Sequence, residues 1–149
     1  QSPMMAYANI RHKMKYELLE MQRFIAKHKI NEFKKNPHFP LSSLMAMRGA
    51  VACQQIGCVE QYADLMFRAM WEQELKIDEL PVIENVLRGS QLEADTILSA
   101  IASADVKQQL IENTEQAVER GVFGLPSFFV GEEMWFGKDR LRDVEDYLA

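Results

Sequence analysis

The chain has 149 residues, 48% hydrophobic and 26% charged, which suits one compact domain, or a domain with an insertion, and excludes a disordered chain. No apolar run approaches the roughly 18 residues of a membrane helix, the opening QSPMMAYANIRHKMKY has no apolar signal core, and neither feature indicates a membrane partner. The net charge of −5 is uneven: residues 1–40 carry eight Lys or Arg against three Asp or Glu, residues 41–149 nine against nineteen. The basic end is either a solvated helix face or an attractor of anions; without basic runs interleaved with aromatics it does not indicate nucleic acid.

Spacing predicts a first helix over about residues 5–28, where Ile10, Met14, Leu18, Met21 and Ile25 make one apolar stripe. The stretch NEFKKNPHFPLSS breaks it, because Pro37 and Pro40 cannot sit inside a helix. A second helix starts at Ser42 or Ser43, either a reasonable N-cap, and stops at Gly57. Cys53, within it, precedes Cys58 by five residues. On one helix they would occupy different faces, too far apart for a disulfide. With no second cluster and no paired histidines, no metal site is expected, and the thiols read as core or near-surface groups of a reducing compartment.

A third helix is expected over 59–75, with Tyr62, Leu65, Met66, Ala69 and Met70 inward. A fourth runs from Pro81 to Gly89, a fifth over 92–103. The sixth covers 105–120, with Val106, Leu110, Ala117 and Val118 inward and Gly121 after its end. The nine methionines are mostly on these stripes, as core gap-fillers or the lining of an apolar groove.

Then the pattern changes. In GVFGLPSFFVGEEMWFGKDR, Ser127–Val130 and Glu133–Phe136 read as strands around Gly131-Glu132, a type II′ pair. Asp139 is placed to cap a last helix over 140–148, with Leu141, Val144 and Leu148 inward. Such a hairpin is marginal alone and requires a larger sheet.

Its ends carry the chemistry. Pro126 is either strand punctuation or the second residue of a cis Leu125-Pro126 bond. The cis form would turn the Leu125 amide and carbonyl outward, toward an extended peptide. Asp139 is either a plain helix cap or, with Lys138 and free helix N–H groups, a receiver for an ammonium and a carboxylate. Together they describe a short peptide ending in an amino-acid head, and glutathione is that molecule.

ERGVFGLPSFFVGEEMWFGKDRL resembles the C-terminal signature of the 2-hydroxychromene-2-carboxylate isomerases and kappa-class glutathione transferases. NPHFPLSSLMAMRGAVA and KMKYELLEMQRF are similar to stretches of their bacterial members. The resemblance implies an α/β fold, thioredoxin-like of the DsbA type, with a large helical insertion; the chain itself is mostly α with one C-terminal hairpin. It implies an insertion domain over 1–115 and the C-terminal half of the thioredoxin-like domain over 116–149. It implies that Leu125 and Pro126 hold the cysteinyl backbone of glutathione and that Lys138 and Asp139 hold its γ-glutamyl end. Lys13, with Tyr16 three residues on, loosely matches a glutathione-touching lysine and is otherwise an exposed helix residue. Lys138 stands where relatives often carry Ser or Asn, so a backbone contact is the expectation there.

Family members begin with a strand, a Ser-Pro-Tyr-type motif bearing the catalytic serine, a helix and a second strand. Ser2-Pro3 does not match that motif, so the serine is expected in a preceding segment and no catalytic residue is assigned within the chain. The implied activity is glutathione-dependent cis–trans isomerisation of an aromatic conjugated carboxylate, in a cytoplasmic homodimer. Arg48 or another basic residue would orient that carboxylate, and Phe39, Trp71 and Trp135 either line its pocket or are plain core aromatics. Alternatives are kappa-class transferase or peroxidase activity, a DsbA-like dithiol–disulfide oxidoreductase, and a non-catalytic helical binding module.

Overall fold

A computed structural model describes residues 10–149. Among these, the order is α1 (Arg11–His28), α2 (Leu44–Ile56), α3 (Val59–Trp71), α4 (Leu80–Arg88), α5 (Ala94–Ala102), α6 (Ala104–Glu119), β1 (Ser127–Val130), β2 (Glu133–Phe136), a 3-10 turn (Lys138–Arg140) and α7 (Leu141–Leu148). The strands form a two-stranded antiparallel sheet. Two compact units result: Lys15–Glu112, and Asn113–Ala149 with residues 10–14. Residues 5–9 of the expected first helix, and Ser2-Pro3, lie outside the described residues.

The Lys15–Glu112 unit holds the core. Tyr62 and Met66 on α3, Ile83 and Leu87 on α4, and Ile97 and Ile101 on α5 are i,i+4 pairs that meet Cys53 of α2. Each pair is one stripe of its helix, and burying each large apolar side chain contributes about 1.5–3 kcal/mol. Val51 and Ala52 pack with Val106 in a smaller cluster. Helix α2 stops where expected: Gly57 adopts φ 88° and its N–H donates to the Cys53 carbonyl. Pro81 lies in the first turn of α4, where its missing N–H is no loss.

Helix α3 is shorter than expected, ending at Trp71 rather than near 75. The chain turns back on itself there: Glu74 takes φ 58° and the Leu75 N–H donates to the Ala69 carbonyl. The buried Asn36 side chain fixes this turn, its Nδ2 donating to the Met70 and Leu75 carbonyls at 2.9 Å each. The α1 stripe is not a core face: Ile10 and Met21 are exposed, and Met14, Leu18 and Ile25 are half-buried.

In the other unit, α6 ends at Glu119, Gly121 follows its end as expected with φ 92°, and Val122 N–H reaches back to the Ala117 carbonyl at 2.9 Å. The ribbon register pairs Ser127 with Phe136 and Val130 with Glu133. Gly131 has φ 60° while Glu132 has no positive φ, the pattern of a type II′ turn. Two inward expectations on α7 and one on α6 are corrected: Leu141 (52%), Leu148 (67%) and Val118 (62%) are exposed, and Val144 is half-buried. The physical reason is area. A ribbon of two four-residue strands has too little apolar face to bury a helix.

Candidate functional site

The loop from α6 into β1 is built around small residues. A Cβ on Gly124 would stand 2.8 Å from Cε2 of Phe136, so only glycine lets the loop lie against that ring. The Ser127 hydroxyl donates to the Gly124 carbonyl at 2.7 Å. The Leu125-Pro126 bond is cis, as one of the two sequence readings held. Leu125 is 77% exposed. Among the described residues, no hydrogen bond engages its backbone N–H or carbonyl.

The antiparallel register brings the two ends of the hairpin together. The Gly137 N–H donates to the Pro126 carbonyl at 3.0 Å. Gly137 takes φ 105°, a conformation that favours glycine. Its Cα also faces a carboxylate: a Cβ there would lie 2.6 Å from Asp139 Oδ1. Leu125, Pro126, Lys138 and Asp139 therefore lie at one end of the ribbon, within two residues of that single hydrogen bond.

Asp139 does not cap the last helix. Helix α7 begins at Leu141 with Arg140 as its N-cap, and neither α7 nor the 3-10 turn has a side-chain cap. The 3-10 turn separates Asp139 from the helical amides. The exposed carboxylate has no hydrogen bond or ion pair among the described residues; Arg140 pairs with Asp143 instead, at 3.1 Å. Lys138 is exposed in the same turn. Lys13 is half-buried on α1 and belongs to the same compact unit as the hairpin; Tyr16 falls in the other unit and is exposed.

Chemically, an unbonded backbone donor and acceptor at Leu125 fit an extended peptide, which would add to them as a strand does. A solvent-facing carboxylate fits an ammonium group. Glutathione combines both features, so the residues present fit it. No group of three or more His, Cys, Asp or Glu side chains could hold a metal among the described residues, and no described helix is long and apolar enough to cross a membrane.

The DSBA-like thioredoxin domain matches residues 2–149. The chain belongs to that family. It is 28% identical over 147 residues to a 2-hydroxychromene-2-carboxylate isomerase of Pseudomonas sp. (strain C18), covering 92% of this chain and 63% of the isomerase. It is 35% identical over 74 residues to glutathione s-transferase kappa 2 of Caenorhabditis elegans, covering 45% of this chain and 33% of the transferase. Among solved structures, a 2-hydroxychromene-2-carboxylate isomerase superposes with a TM-score of 0.74 at 22% identity, over 93% of this chain and 67% of that one. This DSBA-like chain thus spans less than two thirds of both curated relatives' length. Its fold is the DsbA-like thioredoxin type, mostly helical with a small antiparallel sheet.

Sequence reasoning missed one contact. Cys53 and Cys58 do not share a helix: Gly57 ends α2, Cys58 is the N-cap of α3, and the Cys58 N–H donates to the Cys53 carbonyl at 2.8 Å. Burial, with the neighbouring Cys58 thiol, pushes the Cys53 thiol up to about 12. The left-handed glycine between them was the available signal. A thiol that stays protonated at neutral pH is a poor nucleophile. Burial likewise raises the Tyr62 hydroxyl. Both groups keep their protons in the folded chain while the unfolded chain ionises, so stability is full below the unfolded value of 9.0 for the thiol and falls as pH rises toward 12. The unfolding free energy from urea melts should drop by about 1.4 kcal/mol per pH unit for the thiol in this range, and by as much again for Tyr62 above its unfolded value of 10.0. Cys53→Ala should flatten that slope.

Proposed function

We propose that the chain serves a glutathione-dependent cis–trans isomerase of the 2-hydroxychromene-2-carboxylate type, acting on an aromatic conjugated carboxylate. The observation that supports this most is the closed end of the ribbon, where the Gly137–Pro126 hydrogen bond joins the loop carrying the unbonded Leu125 peptide to the turn carrying the Asp139 carboxylate. In this reading Leu125 exchanges backbone hydrogen bonds with the cysteinyl residue of glutathione, and Pro126 shapes the approach. Asp139 receives the α-ammonium of the γ-glutamyl end, Lys138 contributes its backbone, and Lys13 its cation. Glutathione supplies a thiol that adds reversibly to a conjugated double bond, so that rotation and elimination give the isomer. No described residue is assigned a catalytic role.

The isomerase and kappa-transferase names of the relatives support the glutathione reading. The same reading includes a small aromatic substrate, a cytoplasmic homodimer, and residues 1–115 as the helical insertion to a thioredoxin-like domain completed by 116–149. A dithiol oxidoreductase would need a C-x-x-C pair, and Cys53 and Cys58, five residues apart, are not one. Transferase chemistry would differ in leaving a stable glutathione adduct.

The test is retention of the full chain on immobilised glutathione, with release by free glutathione. Asp139→Asn should weaken binding about tenfold or more, the range for losing a charge-assisted hydrogen bond. The dipeptide Cys-Gly, which lacks the γ-glutamyl group, should compete equally weakly against both proteins. Full retention of the variant, or no retention of the parent, would overturn the reading.

A further inference from the structure

Arg48 stands out in the Lys15–Glu112 unit. It lies on α2 and is half-buried, and its Nε is buried with no hydrogen-bond partner among the described residues. Its Nη1 donates to the Met45 sulfur, at 3.7 Å. Other well-placed arginines of the unit have carboxylates: Arg68 has Asp64, and Arg88 has Glu84 and Asp95. A guanidinium held partly out of water without an acceptor is costly, and a carboxylate is its natural complement, engaged by two parallel N–H bonds.

The start of α2 adds a second, independent pull on an anion. No residue of its first turn is acidic, and its N-cap, Ser43, makes no side-chain cap. The first-turn amides and the helix dipole therefore favour negative charge, one turn from the guanidinium. The apolar part of the ligand is also marked. Leu44 and Met47, at i−4 and i−1 from Arg48, are 49% and 45% exposed. Positions 44, 47 and 48 share one helix face. A cation beside two exposed apolar side chains suits a carboxylate carried on an apolar or aromatic body rather than a bare ion.

We propose that Arg48, with Leu44, Met47 and the first-turn amides of α2, is the seat for the carboxylate of an aromatic conjugated acid. Its assignment to substrate rests on the isomerase reading above; the seat itself rests on Arg48 and α2. Arg23, Arg68, Arg88 and Arg140 each pair with a carboxylate, whereas Arg48 is the described arginine with an orphaned buried nitrogen.

The experiment is a nitrogen-15 NMR titration of the full chain with cinnamate, an aromatic conjugated carboxylate, and with cinnamamide, its neutral isostere. The Arg48 Nε–H resonance is assigned by its loss in Arg48→Lys. Cinnamate should shift it, together with the backbone amides of Leu44 and Met45, and cinnamamide should not. Arg48→Met should weaken cinnamate binding about 10- to 100-fold, as expected for removing a charged hydrogen-bond partner. If Arg48→Met does not fold, the wild-type titration still decides. An Arg48 resonance unmoved by cinnamate, or moved alike by the amide, would overturn the seat. Retention on immobilised glutathione is scored separately. A chain that shifts at Arg48 but ignores glutathione keeps the seat and loses the isomerase reading.

Discussion

Gly49→Ala should destabilise the Lys15–Glu112 unit by about 2–3 kcal/mol, lowering the thermal midpoint by roughly 5–10 °C for a chain of this size. Two effects oppose each other. Alanine in a helix interior gains about 1 kcal/mol over glycine, and Gly49 lies inside α2. Against that, a methyl at position 49 would overlap the hydroxyl and ring of Tyr62 and stand 2.9 Å from its Cε2. Tyr62 cannot step aside: it is 1% exposed, its hydroxyl donates to the Ala46 carbonyl at 3.1 Å, and the principal core cluster surrounds it. The steric term wins because a packed interior does not yield. Urea unfolding checks this. In a Tyr62→Phe background, which removes the overlapping oxygen, the alanine should cost measurably less. Equal or greater stability of Gly49→Ala in the parent would refute the packing argument.

Asn36→Asp should cost about 3 kcal/mol at neutral pH, at least as much as Asn36→Ala. Asn36 is 1% exposed and bonded on both sides. Its Nδ2 faces two carbonyls, of Met70 and Leu75, and its Oδ1 accepts from the His38 N–H at 2.8 Å. Aspartate keeps the shape and places an oxygen against those carbonyls. An ionised carboxylate would repel both, so the folded state holds it protonated and its folded pKa rises above the usual value of about 3.9. Stability is then fullest below the unfolded value and lost as pH rises through the folded one. Urea midpoints of Asn36→Asp should therefore recover toward wild type in acid, and those of Asn36→Ala should not. An aspartate variant as stable as the parent at neutral pH would show that the side chain does not bridge the two segments.

Both positions lie in NPHFPLSSLMAMRGAVA, one of the stretches on which the family resemblance rests. Its prolines announced a helix break, but nothing in the order of residues says that Asn36 reaches across to the end of α3, 34 and 39 residues later. The candidate site was legible in part. The glycine turn, the strand pair and Pro126 follow from local backbone preference, and the structure reproduces them. The Asp139 cap was a local inference of the same kind and did not hold, because a 3-10 turn precedes the helix. The cysteines are free thiols, one buried and one half-buried, as read, and what the residue order did not show is the Cys58 N–H donating to the Cys53 carbonyl across Gly57.

The residue order alone determined where α2 and α6 stop and where the ribbon turns: Gly57, Gly121 and Gly131 each take a positive φ that costs glycine little, whatever packs nearby. Only the tertiary structure decided which side chains lose water. Asn36 is buried and bonded, Arg48 is half-buried with an orphaned nitrogen, and Leu141 and Leu148 are exposed despite an apolar stripe. Burial depends on surfaces supplied by distant segments, and helical period says which face a residue is on but not whether anything covers it.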